Sequence, residues 1–354
     1  MTAPADDRRI MLIALAGASL LSFAPLLYIQ SETTPITGAF FRMVYAIPIL
    51  FILVWYLNRE DERSFNSRVL TFAAGILLAI DFAGYHSAID YIGSGIATLI
   101  GNSQVIIVTL VSWWLFGERP NRMILLALPM VMIGLVFIAG IWDDEPYGAD
   151  PLKGVIGGIV AAIFYSSFLI LYRYSNRIQA PSANLQFDAT IGAAIGLLLV
   201  GTTPLERLDI EPIDFTMNWP GHGWLLLLAI SCQVIGWTAI TFALPRLPAA
   251  HTSFAVLLQP VLTIVWGVIL LSEKPSLQQI VGMTLIFSAI IAVTLFGESQ
   301  TGGDNIDQKL LISLQHLSSP LISQKVYRRE INARGWDALS ENLSSCTVRA
   351  GGRQ

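Results

Sequence analysis

A disulfide framework is the first thing the sequence excludes. The chain has two cysteines in 354 residues, Cys232 inside an apolar run and Cys346 in a polar one, and nothing about that placement brings them together. Charge is scarce too. Asp, Glu, Lys and Arg make up 13% of the residues against 54% hydrophobic, and mean hydropathy is +0.62, too little charge to solvate the surface of a soluble multidomain protein. A net charge of −4 offers nucleic acid no basic surface. Walker-type loops, metal-ligand clusters and nucleophile elbows are missing, so the sequence gives no reason to expect an enzyme, a metal site or a cofactor.

What fills the chain is apolar runs. Ten of them approach the roughly 20 residues that a helix needs to cross a bilayer: 10–29, 35–57, 69–90, 94–116, 121–141, 152–173, 181–201, 222–244, 248–271 and 277–296. The first follows Arg8 and Arg9 and reads as a retained start-transfer helix, since nine further spans come after it. The short loops carry ten basic residues on one side, Arg59, Arg63 and Arg68 among them, against Lys153, Arg207 and Lys274 on the other. That asymmetry predicts both termini in the cytoplasm.

One phrase occurs twice. GNSQVIIVTLVSWWLFGERP (101–120) is echoed by VLLQPVLTIVWGVILLSEKP (256–275), each with Gln, an apolar stretch, Glu, one basic residue and Pro at the same spacing. The copies lie five predicted helices apart, on the fourth and the ninth. An odd number reverses direction across the membrane, so the phrase marks an inverted-topology repeat.

These residues carry a family resemblance. Ten spans in two halves, with the fourth helix of each half ending in Glu-x-Pro (Glu118 to Pro120 and Glu273 to Pro275), resemble the EamA-type branch of the drug/metabolite transporter superfamily. The arginine in AFFRMVYAIPIL (39–50) and the Gln259-Pro260 pair fit the same pattern; Val105 departs from it, standing where helix 4 would carry its mid-helix proline. The resemblance implies an all-α membrane protein of ten transmembrane helices in a five-plus-five inverted repeat. It also implies a bacterial inner-membrane carrier, often an exporter, whose two halves form a pseudo-dimer within one chain.

The expected organisation is a cytoplasmic N-terminus (1–9), a first five-helix repeat (10–141), a periplasmic loop (142–151), a second, inverted repeat (152–296) and a polar, disordered cytoplasmic tail (297–354). The expected partners are a small-molecule substrate and the lipid bilayer. A monomer is the expected functional unit, with a homodimer as the alternative. Gly192 and Gly196 form a GxxxG that suits either bundle packing or such a dimer face.

Ionisable groups at membrane depth are costly and usually functional. At about 1.5 Å of rise per residue, Arg42 lies roughly 10 Å below the outer boundary and Asp81 roughly 18 Å above the inner one. In a core about 30 Å thick these are nearly one level. The two either hold a substrate, Arg42 its carboxylate and Asp81 an amino group or a proton, or form a permanent ion pair. Asn102, Gln104, Gln233 and Gln259 reach the same level and point to a wet cavity, with Tyr85 and Trp237 as aromatic walls. His86 is a second candidate for proton coupling, although its spacing to Asp90 also suits a plain His–Asp contact. Pro48, Pro129 and Pro260 are candidate hinges, and Glu118, Glu273 and Asp188 candidate gates or corner anchors. The substrates expected first are amino acids and related metabolites, with organic cations or drugs as the alternative and a membrane sensor or enzyme as the remote rival.

Overall fold

Long apolar runs free of charge satisfy their backbone groups only within helices when water is absent, and helices are what they form. The computed structural model of the chain describes residues 4–57, 61–104, 106–108, 110–111, 122–143, 145–175, 181–203, 211–216, 218–243 and 249–296. Among these there is no strand. In chain order the helices are α1 (Pro4–Ser22), α2 (Ala24–Gln30), α3 (Pro35–Leu57), α4 (Phe65–Ile92), α5 (Ser94–Asn102), α6 (Arg122–Ile138), α7 (Pro151–Ser175), α8 (Ser182–Thr202) and α9 (Gly221–Leu228). A π-helical segment (Ala229–Gly236) then leads into α10 (Trp237–Ala243), followed by α11 (Ala249–Leu270) and α12 (Leu277–Phe296). Six stretches are long and apolar enough to cross a membrane, and four shorter apolar helices accompany them. Glu118, Pro120 and the tail 297–354 lie outside the described residues.

α4 packs most extensively on α7 and α8, α6 on α12, α3 on α8, and α5 on α7 and α11. α1 lies against α11, α10 and the π segment, and α3 against α9 and the π segment. Small residues set the closest approaches. A Cβ at Gly192 would overlap the carbonyl oxygen of Phe72, and one at Gly75 that of Ala189, so α4 and α8 meet backbone to backbone. The GxxxG of Gly192 and Gly196 therefore faces α4 within the chain, Gly196 meeting Ala79.

The largest cluster of buried side chains includes Met43, Phe41, Phe82, Leu99, Ile100 and Leu197. Trp55, Tyr56, Leu126 and Ile269 are exposed, as lipid-facing side chains of a bundle are.

Candidate functional site

Two interruptions of helical pairing shape the middle of the bundle. α5 stops at Asn102, a turn at Ser103 follows, and helix resumes at Gln104. The sequence predicted a proline-free, unbroken helix 4, but Asn102 and Ser103 turn their side chains onto their own helix: Asn102 Nδ2 donates to the Thr98 carbonyl at 2.8 Å and Ser103 Oγ to that of Ile100 at 2.6 Å. Such side-chain bonds compete with the helical ladder. The second interruption is the π segment, a form that concentrates at functional sites.

Between these interruptions lies a cavity of about 1090 Å³. Its deep end carries Arg42, Asp81, Tyr85, Asn102, Gln104 and Gln259, with Trp237, Tyr165 and Tyr172 as aromatic wall. From there it runs past Leu53 and Ser182 to Leu57 and Phe242 at the helix ends. Asp81 and Tyr85 project together because residues four apart share a helix face, and Asp81 is the one carboxylate among the described residues of the lining. Gln104 is 9% exposed and its Oε1 has no hydrogen-bond partner, an unmet acceptor on the cavity wall. A Cβ built on Gly101 meets nothing within 4 Å, so the helix break leaves open space in front of its backbone.

Arg42 and Asp81 are both buried, at 3% and 8% exposure, yet no ion pair joins them. This departs from the permanent ion pair that their common depth allowed. Arg42 Nε instead donates to Gln233 Oε1 at 3.0 Å, and its guanidinium carbon lies 4.3 Å from the centre of the Phe82 ring. A neutral amide and a ring face hold the cation without neutralising it. Gln233, expected on the cavity wall, sits behind Arg42 at 2% exposure.

Gln186, which the sequence reading passed over, completes this arrangement. Its Nε2 donates to the Gln233 carbonyl, and its Oε1 accepts from Thr238 Oγ1 at 2.9 Å. Gln186 is one of four polar residues that alternate along ANLQFDAT, and it stands out only in retrospect, because its partners lie some fifty positions away on another helix.

The remaining candidates fall elsewhere. His86 is outside the cavity lining. It stacks on Tyr28 at 4.1 Å, and its Nδ1 lies 3.2 Å from the Pro35 carbonyl. The contact expected with Asp90 belongs to Tyr28, whose hydroxyl donates to that carboxylate at 3.0 Å. Asp188 accepts from Arg63 Nη2 at 2.8 Å, and Asp61 accepts from the same nitrogen at 2.7 Å. The hydrogen bond from Arg63 holds Asp61, in the loop before α4, at a pKa of about 2. Glu273, at the far end of the bundle from Leu57, accepts the N–H of Ser94 at 2.5 Å and that of Gly95 at 3.3 Å. Pro48 and Pro129 are exposed in α3 and α6, whereas Pro260 is buried in α11 beside Gln259.

Known proteins place this architecture. The EamA-like transporter family matches residues 8–140 and again 152–295. The chain is 23% identical over 287 residues to the "Pseudopaline exporter CntI" of Pseudomonas aeruginosa, covering 80% of this chain and 95% of that one. It is also 23% identical over 167 residues to the "Uncharacterized transporter YcbK" of Bacillus subtilis, 47% of this chain and 52% of the relative, so it spans about half of YcbK's length. A crystal structure 17% identical, covering 82% of this chain and 98% of its own, has the same fold with a TM-score of 0.54. With both stretches of apolar helix matched and relatives that are transporters, the chain belongs to the EamA-like transporter family and is a multi-pass membrane transporter.

Proposed function

We propose that the protein exports small zwitterionic metabolites, amino acids or related compounds, across the bacterial inner membrane by alternating access of two inverted five-helix halves, with both termini in the cytoplasm. The observation that carries this reading is the cavity wall on which Arg42 and Asp81 stand buried with no ion pair between them. A buried charge without a counter-charge costs several kcal/mol, by an order-of-magnitude estimate. A substrate bearing one carboxylate and one ammonium relieves both groups at once. Tyr85, Tyr165, Tyr172 and Trp237 give its apolar part a surface.

The packing pattern supports the inverted repeat. Exchanging each predicted span with the one five later turns the contacts of α4 with α7 and α8 into those of the π segment with α1 and α3, and leaves α3–α8, α5–α11 and α6–α12 mapped on themselves. The basic-residue asymmetry puts Leu57, Ser182 and Phe242 at the cytoplasmic end. The cavity then faces the cytoplasm, where an exporter collects its cargo. At the opposite end Glu273, Gln279 and Tyr28 close the bundle through their bonds to Ser94, Tyr147 and Asp90.

The aromatic walls and the Asp81 carboxylate also favour organic cations as a second reading. Counterflow in proteoliposomes separates the two, with labelled zwitterionic amino acids and organic cations offered to the wild type and to Arg42→Ala. Amino-acid exchange that disappears in a folded Arg42→Ala supports the zwitterion. Exchange of cations alone overturns it and leaves Asp81 as the binding charge.

A further inference from the structure

We propose that Gln186 and Thr238 are positioning residues that set the transporter's selectivity for carboxylate-bearing substrates by holding Arg42 through Gln233. The inference rests on Arg42 as the carboxylate anchor and adds the device that aims it.

The device begins with the backbone. Where a π segment returns to α-helical pairing, one carbonyl is passed over by the helix's own donors. Here the N–H of Trp237 reaches back to the carbonyls of Cys232 and Val234, on either side of Gln233. A passed-over carbonyl inside a membrane protein demands another donor. Gln186 Nε2 on α8 is that donor.

An amide has two faces, and only one orientation puts its nitrogen on a carbonyl. Thr238, one turn beyond Gln233 in α10, donates to Gln186 Oε1 at 2.9 Å and so fixes that orientation. Gln186 is 4% exposed and Gln233 2%, so neither has water as a substitute partner. With its main chain pinned to α8, Gln233 presents Oε1 to Arg42 Nε at 3.0 Å. Nε is then occupied, and the guanidinium lies over Phe82 with its remaining edge toward the cavity that Arg42 lines. The π segment, one amide and one hydroxyl thus convert a flexible cation into a fixed one. A fixed guanidinium is what planar recognition of a carboxylate requires.

Two readouts test the proposal. The first is counterflow with labelled phenylalanine and with phenethylamine, which lacks the carboxylate. In Gln186→Leu and in the near-isosteric Thr238→Val, the KM for phenylalanine rises about tenfold with kcat retained, and its selectivity over phenethylamine falls by the same factor. Thr238→Ser restores both. The second readout needs no substrate: phenylglyoxal modification of Arg42, followed by peptide mass spectrometry with Arg63 as the internal standard. Arg42 modification rises about tenfold relative to Arg63 in the two variants and returns to wild type in Thr238→Ser. An unchanged Arg42 rate, or Arg42 and Arg63 rising together, overturns the proposal. A wild type that carries neither probe refutes the zwitterion reading, and the labelling still decides whether Gln186 holds Arg42.

Discussion

Glu273 caps the helix that begins at Ser94. Its two carboxylate oxygens accept the N–H groups of Ser94 and Gly95, so the acid that ends one copy of the repeated phrase closes the start of the helix carrying the other. A carboxylate there satisfies amide donors that have no helical partner and faces the positive end of the helix dipole. Glu273→Ala is expected to cost about 1–2 kcal/mol, seen as a lower melting temperature in detergent. Glu273→Gln, which keeps an acceptor but loses the charge, should fall between it and the wild type. A melting temperature unchanged in Glu273→Ala would remove the cap from the account.

Arg63 joins the loop before α4 to α8 through Asp61 and Asp188, with its side chain 2% exposed. Arg63→Ala removes the shared donor of Asp61 and Asp188 and leaves Asp61 only Arg68, at 3.3 Å, as a cation, and should destabilise the protein by about 1.5–3 kcal/mol. The pH dependence follows from Asp61. Its folded pKa of about 2 lies below the ordinary 3.8, so its stabilisation is complete above pH 3.8 and is lost as pH falls toward 2. Melting curves over that window should fall more steeply for the wild type than for Arg63→Ala. Parallel curves would contradict the role of the clasp.

Gly192 lets α8 touch α4, and any side chain there meets the Phe72 carbonyl. Gly192→Val is expected to cost about 3 kcal/mol, read as loss of folded protein on size exclusion. Normal folding of Gly192→Val would mean that the two helices separate freely.

Asp81 faces the cavity whereas His86 is enclosed by Tyr28, Phe82 and Pro35, so the proposed transport is expected to take its pH dependence from Asp81. Asp81→Asn should flatten the pH profile of counterflow, and His86→Gln should leave its shape intact. The reverse pattern would move the coupling site to His86.

The apolar helices, the small-residue spacing and a few polar groups of the cavity lining, Asp81, Asn102 and Gln104 among them, were legible in the sequence. Apolar length, Gly spacing and the depth of Asp81, Asn102 and Gln104 are properties local to one segment. Pairings between segments were not. Arg42 and Asp81 share a level, but level says nothing of rotation about the helix axis, and Arg42 turns toward Gln233. The same gap hid Gln186, Arg63 and the reach of Glu273 to Ser94. The break at Ser103 and the π segment escaped because no proline marks either one. The first arises from side chains competing with the backbone.

Substrate held in the cavity before Gly101 would shield a cysteine placed there. Gly101→Cys, built in a background with Cys232 and Cys346 replaced by serine, adds a thiol where nothing stands within 4 Å. The account predicts that a thiol reagent labels Cys at this position and that a compound carried in counterflow slows the labelling in proportion to its occupancy. Labelling that proceeds at the same rate under saturating, actively exchanged substrate would place the binding site elsewhere.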